Sequence, residues 1–233
     1  MNKSVKIAVE IALAALICLL VWLTVKSVQK PVQFNKEVAA RSQVAIQRLK
    51  DIRTLQEAFK SVNGRFAPTV DSLKLFYETG KMDIVMQIGS LDDSLAVANT
   101  EAIKKANKRL KPAEMTAKLA AAYAAGQKVV FSTVTEIPVK DTLFNHRPDF
   151  CVDSLAFIPF SDGQKTEMEA TIKTVSGVQV PLFEARMPYK ALCKGLDNQL
   201  RINRDAELKD QKKYEGLQVG SITAPNNNAG NWE

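Results

Sequence analysis

The chain has 233 residues, of which 46% are hydrophobic and 24% charged, a balance that excludes general disorder. Its formal net charge of +7 suits an anionic membrane surface. The sequence has no arginine-rich run and no basic strip interleaved with aromatic residues, which argues against a nucleic acid partner.

The first element is the apolar segment IAVEIALAALICLLVWLTV, residues 7–25, which follows a short N-terminal tail, residues 1–6. At about 1.5 Å per residue, this segment as a helix just crosses a hydrocarbon core of about 30 Å. It is longer than the apolar region of a signal peptide, and no small-residue cleavage site follows it. The sequence therefore predicts a retained, single-pass transmembrane helix in contact with the lipid bilayer.

Lysines flank both ends of this helix, so the positive-inside rule gives a nearly balanced count. We expect the short tail to stay in the cytoplasm and the large C-terminal part to be exported. Glu10 places a carboxylate inside the apolar segment, which is costly and often functional. It has two interpretations: a contact to another subunit, or a charge that reaches the interface and favours the positive end of the helix.

A second helical pattern covers residues 31–62, and it carries one apolar stripe on a charged cylinder. The residues of this stripe recur at intervals of seven: Val38, Ala45, Ile52 and Phe59. They are candidate assembly contacts if the stripe is a coiled-coil seam through which copies associate. The favoured alternative is that the stripe packs on the chain's own sheet. Asn63-Gly64 is expected to end the helix.

Residues 63–224 are predicted to form one α+β domain. Strands of an antiparallel sheet are expected in five segments: 82–88, 127–139, 151–160, 166–175 and 178–187. A last strand is expected in LQVGSIT, near residue 224. Asn, Gly and Pro dominate residues 225–233, which predicts a flexible tail. The expected fold is therefore a transmembrane helix that continues into a long amphipathic helix packed on an antiparallel sheet.

The residues that carry chemistry are few. The chain has one histidine, His146, and no nucleophile elbow, phosphate loop or metalloprotease motif. Two cysteines of the soluble part, Cys151 and Cys193, are either a disulfide in an exported domain or two free buried thiols. The sequence therefore predicts no catalytic residue, no cofactor and no metal site.

The N-terminal third resembles the type IV pilins and pseudopilins. The similarity lies in an apolar helix with a glutamate near its start, Glu10, in the continuation RLKDIRTLQEAFKSVNGRF, and in the turn NGRFAPTVDSL. In that family the glutamate follows a glycine and a phenylalanine at the processing site. Here the preceding residues are SVKIAV, without a glycine, so the resemblance implies a subunit that is not processed.

The resemblance implies a non-enzymatic structural subunit in the inner membrane of a bacterium, with its C-terminal domain in the periplasm. Its implied partners are other envelope proteins and further copies of itself, contacted through the N-terminal helix. One alternative is a bitopic platform or scaffold protein of a secretion or motility machine. A second alternative, of another class, is an anchored envelope enzyme or ligand-binding domain.

Overall fold

A computed structural model describes the backbone of residues 3–233 and the side chains of Ile7 and of residues 10–233. The elements in chain order are α1 (Lys3–Asn63), α2 (Val70–Thr79), β1 (Lys81–Ile88), α3 (Ser94–Ala106), α4 (Pro112–Ala124), β2 (Phe131–Pro138), α5 (Val139–Thr142), a 3₁₀ helix (Val152–Ala156), β3 (Glu167–Val175), β4 (Val178–Pro188), α6 (Tyr189–Leu192), α7 (Asn198–Asp210) and β5 (Gly216–Gly220). The strands form two antiparallel sheets, β1-β2 and β3-β4-β5. The α+β class and the long N-terminal apolar helix are as the sequence predicts. Residues 1 and 2 of the expected tail lie outside the described residues.

The chain divides into two compact units, where the sequence predicts one domain over residues 63–224. The first unit comprises Met1–Lys74 and Cys151–Glu233, and the inserted unit comprises Leu75–Phe150. The inserted unit has its own apolar core of Leu119, Val129 and Phe131. Among the strands that the structure describes, β1 and β2 pair only with each other, and local sequence patterns do not reveal such a separation.

In the first unit, the C-terminal half of α1 covers one face of the sheet β3-β4-β5. Side chains alternate along a strand, and the residues of β4 that face the helix are Phe183, Ala185 and Met187, all at most 1% exposed. From α1, Leu49 and Ile52 are fully buried. The sheet thus supplies the apolar partner that the amphipathic half of the helix requires.

Helix α1 runs through Pro31 without a break and ends at Asn63. Proline has no amide hydrogen, so the carbonyl of Ser27 lacks its usual helical donor. At the other end Gly64 adopts a left-handed φ of 70°, and its amide donates to the Lys60 carbonyl at 2.8 Å. Phe66 then returns to the core, where its ring centroid lies 4.7 Å from that of Phe183.

The inserted unit is a two-stranded ribbon with a pair of helices. Val85 of β1 pairs with Val134 of β2, and both side chains are exposed. The Asp93 carboxylate starts α3 by accepting from the amides of Leu95 and Ala96. It also lies 3.1 Å from the Lys128 ammonium.

Residues 151–160 form no strand, and this is a correction to the sequence prediction. The segment is rich in apolar residues, but Val152–Ala156 is a 3₁₀ helix. The Ser154 amide and hydroxyl both donate to the Cys151 carbonyl, at 3.1 and 2.7 Å. Such local hydrogen bonds of a serine compete with the backbone pairing of a strand.

Residues 226–233, expected to be flexible, follow the outer edge of β5. The Gly220 amide donates to the Ala229 carbonyl and the Asn231 amide to the Gln218 carbonyl, both at 3.0 Å. The Asn231 side chain accepts from the Gln218 amide at 3.1 Å and donates to the Gly216 carbonyl at 2.9 Å. The segment therefore pairs with β5 much as a further strand would, and this protects the sheet edge.

Candidate functional site

The N-terminal half of α1 is the strongest candidate for a functional surface. Every side chain from Glu10 to Lys30 is exposed. An 18-residue stretch of this half has a mean hydropathy of 2.3, and none of its residues is buried. Helix α1 is therefore long and apolar enough to cross a membrane. A core helix of a water-soluble protein would bury such residues. This half therefore leaves an apolar surface that the described part of the chain does not cover.

Polar groups near the end of this surface are satisfied within the helix. The Thr24 hydroxyl lies 3.0 Å from the Leu20 carbonyl and 2.8 Å from the Val21 carbonyl, and donates back to the helix. The Lys26 ammonium lies 4.7 Å from the centroid of the Trp22 ring. An aromatic residue and a lysine in this arrangement are typical of the boundary between hydrocarbon and head groups.

The compact part of the first unit begins within about one turn of this boundary. An open groove of about 450 Å³ lies between α1 and the start of α7. Its lining from α1 includes Leu23 and Lys26, and on the other side it includes Leu200 of α7 and Asp197, which caps that helix. The apolar segment of α1 and the start of α7 thus line the same groove.

The four candidate seam residues have a different environment. Val38, Ala45 and Ile52 are at most 1% exposed, in the chain's own core, and Phe59 is half-buried. This is the arrangement that the sequence favours over an intermolecular seam. Of the predicted assembly contacts, Glu10 alone lies on the exposed surface of α1.

Cationic side chains of α1 hold backbone carbonyls of distant segments. Arg41 donates to the carbonyls of Leu192 and Lys194, at 3.1 and 2.8 Å. Arg48 donates to the Phe157 carbonyl at 2.6 Å, and burial lowers the pKa of its guanidinium. The sequence shows the basic flank of the helix but not its partners, since these carbonyls are far away along the chain.

A buried glutamine is the contact that sequence reasoning missed. Gln56 is 0% exposed. Its amide nitrogen donates to the Ala67 carbonyl at 2.9 Å, and the Ala67 amide donates to its oxygen at 2.8 Å. In the sequence it reads as an interruption of the apolar stripe. In the structure its two hydrogen bonds hold Ala67, in the segment that follows α1, against the helix.

Cys151, Cys193 and His146 have different environments. Cys151 is exposed, Cys193 is buried, and both are free thiols; burial is the main factor that raises the pKa of Cys193. His146 is exposed in a turn of the inserted unit, between Phe144 and Phe150, whose rings stack at 4.0 Å. Among the described residues, no three His, Cys, Asp or Glu side chains could jointly hold a metal ion.

No protein family, curated protein or solved structure matches this chain.

Proposed function

We propose that this chain is a non-enzymatic, membrane-anchored structural subunit of a bacterial cell-envelope assembly, similar in architecture to pilins and pseudopilins. The N-terminal half of α1 crosses the inner membrane once and contacts neighbouring subunits. The rest of the first unit and the inserted unit lie on the periplasmic side. The proposal rests on the continuity of one helix, which is exposed and apolar at one end and part of a folded core at the other.

This continuity supports a role in assembly because it joins two functions in one rigid element. With a flexible linker, the folded part could change its orientation independently of how the anchor packs against its neighbours. Here the helix enters the core directly, and Arg41 and Gln56 bind it to the segments around it. The orientation of the anchor against its neighbours therefore fixes the orientation of the folded part.

The native Cys18 offers a direct test, since it is an exposed thiol in the apolar half. In a Cys151→Ser background, with Cys18 also replaced whenever another position is tested, one exposed cysteine at a time at residues 16–19 samples about one full turn of the helix, while Cys193 stays buried. We expect oxidation in native membranes to give covalent dimers mainly from one side of that turn. Added lipid that dilutes the protein should not change this pattern. Equal yields around the turn would indicate random collisions and contradict the proposal.

Glu10 provides the second arm of this test. A carboxylate in an apolar segment gains most when a cationic group of a neighbouring helix pairs with it. We expect Glu10→Gln, which keeps the shape and removes the charge, to reduce the dimer yield about tenfold. Carbonate extraction of the membranes serves as the control and should show unchanged insertion. A normal yield in this variant would remove Glu10 from the contact.

An assembly-platform protein is the second candidate, and one observation favours it. The segment SVKIAV before Glu10 has no glycine at which a prepilin-type peptidase could act. Mass spectrometry of the N-terminus of the protein from native membranes tests whether the chain is processed. An intact start favours the platform or an unprocessed subunit, whereas a start within residues 4–9 favours a secreted filament.

A further inference from the structure

A groove in the inserted unit combines an apolar floor with a cationic end. It lies between α3 and α4 and has a volume of about 570 Å³, which is within the range of small-molecule sites. Its apolar lining consists of Ala102, Ile103, Ala106, Ala121, Ala122 and Ala125. Alanine side chains are too short to fill the space between two helices, so the groove stays open.

The groove has a polar end at the turn between the two helices. There Lys118 of α4 donates from its ammonium to the Asn107 side-chain oxygen, and both residues line the groove. The adjoining turn carries Lys108, Arg109 and Lys111, all exposed. The opposite end, near Ala125 and Gln127, is uncharged.

The charges around this end are mostly uncompensated. Lys104 and Lys105 of α3 add to the four cations of the turn and of α4, whereas α3 and α4 together contain two carboxylates. Glu101 lies 3.6 Å from the Lys105 ammonium, and Glu114 accepts from the Lys111 amide at 3.2 Å. An anion at this end would therefore meet a positive potential, and an apolar chain attached to it would find the alanine floor.

We propose that the α3–α4 groove binds a long-chain fatty acid, with its carboxylate beside Lys118 and the turn and its acyl chain along the alanines. The lining of the groove runs along about two turns of each helix, roughly 10 Å, so it contacts the part of the acyl chain nearest the carboxylate. A single carboxylate matches the single charged end of the groove. Burial of the chain supplies affinity in proportion to the apolar area removed from water. The cations select an acid over a neutral lipid of the same length. This site is independent of the function proposed above.

Photolabelling of the full chain in phosphatidylcholine nanodiscs tests this site. The probes are a palmitic acid with a diazirine in its chain and the matching neutral alcohol, and peptide mapping by mass spectrometry locates the label. We expect the acid to label peptides from residues 102–127 about tenfold more than the alcohol does. Labelling of the anchor, residues 7–25, is the internal standard, because both probes partition into the bilayer.

Three variants sharpen the result. Lys118→Gln should lower labelling of the groove by the acid about two- to fivefold, as loss of one exposed ion pair predicts. Its matched control is Lys140→Gln, an exposed lysine of the inserted unit outside the groove, which should label normally. Ala106→Leu with Ala121→Leu fills the groove with good helix formers and should abolish the label there, while amide exchange reports an intact fold.

Two results would overturn the proposal. The first is equal labelling of residues 102–127 by the acid and the alcohol, which would mean that the cations select nothing. The second is full labelling of the filled variant, which would mean that the probe lies elsewhere on these helices.

Discussion

The two halves of α1 belong to one uninterrupted helix but find their apolar surroundings in different places. In the C-terminal half, Leu49 and Ile52 are 0% exposed against the sheet of their own chain. In the N-terminal half, Leu16 and Ile17 are more than half exposed. Both halves carry enough apolar surface to require burial. The first half therefore leaves exposed the kind of apolar surface that the second half buries within the fold, and under the proposed function lipid and other subunits would cover it.

Polar side chains show the same division. In the N-terminal half, the Thr24 hydroxyl bonds to carbonyls of its own helix. In the C-terminal half, Gln56 and Arg41 bond to backbone groups of distant segments. Side chains of the first kind make a helix self-sufficient in an apolar medium, as a membrane requires. Side chains such as Gln56 and Arg41 instead fix the position of the helix relative to other segments of the chain.

The largest expected effect comes from one substitution made in both halves. Leu49→Ala should lower the free energy of unfolding of the first unit by about 4 kcal/mol, since it leaves a cavity in a closed core. Leu16→Ala should lower it by less than about 0.5 kcal/mol, since the side chain contacts no core of this chain. Urea unfolding in detergent, followed by amide exchange in β4 and β5, measures both values.

The matched pair makes the outcome unambiguous, because both variants replace leucine by the best helix former and so share any change in helix propensity. Similar losses in the two variants would show that the N-terminal half also packs on the chain's own fold. That result would contradict the division of α1 on which the proposed function rests.

Gln56→Leu is expected to have the next largest effect. The change introduces an apolar residue of similar size into the stripe but removes the hydrogen bonds of the buried Ala67 amide and carbonyl. Unsatisfied buried groups of this kind should cost about 2 kcal/mol of stability in all. The control is Gln43→Leu, at an exposed position of the same helix, which should be nearly neutral. A neutral Gln56→Leu would mean that water or a small shift replaces both hydrogen bonds.

Local signals were sufficient for much of this fold. The end of α1 at Asn63 was predictable because Gly64 follows it and accepts a left-handed φ. The pairing of β3 with β4 was predictable because Ser176 and Gly177, both with positive φ, form the tight turn between them. In each case the determining residues lie within a few positions of the element. The apolar stripe of α1 likewise predicted which side chains of that helix are buried.

Other features depend on partners far away in the sequence. Helix α7 is mostly polar and has no fully buried side chain, so its apolar periodicity is weak as a predictor of a helix. Gln56 has a role only because the chain returns to it at Ala67. The apolar surface of α1 was evident from composition, whereas the α3–α4 groove depends on how two neighbouring helices pack across the short turn between them.

The smallest expected effect concerns the ion pair between Arg53 and Glu233, which are 2.7 Å apart and link the buried half of α1 to the end of the chain. The hydrogen bond from Arg53 holds the pKa of Glu233 below its ordinary value of 4.5. A carboxylate with a lowered pKa in the folded state stabilises that state above its unfolded pKa, and the contribution is lost as the pH falls through the folded pKa.

We therefore expect the Asn231 amide, which pairs with β5, to lose protection from exchange below about pH 4.5. Glu233→Gln, compared at each pH, should show weaker protection at neutral pH and no such step. An identical pH profile in both proteins would mean that the pairing with β5 holds the segment without the help of the buried half of α1.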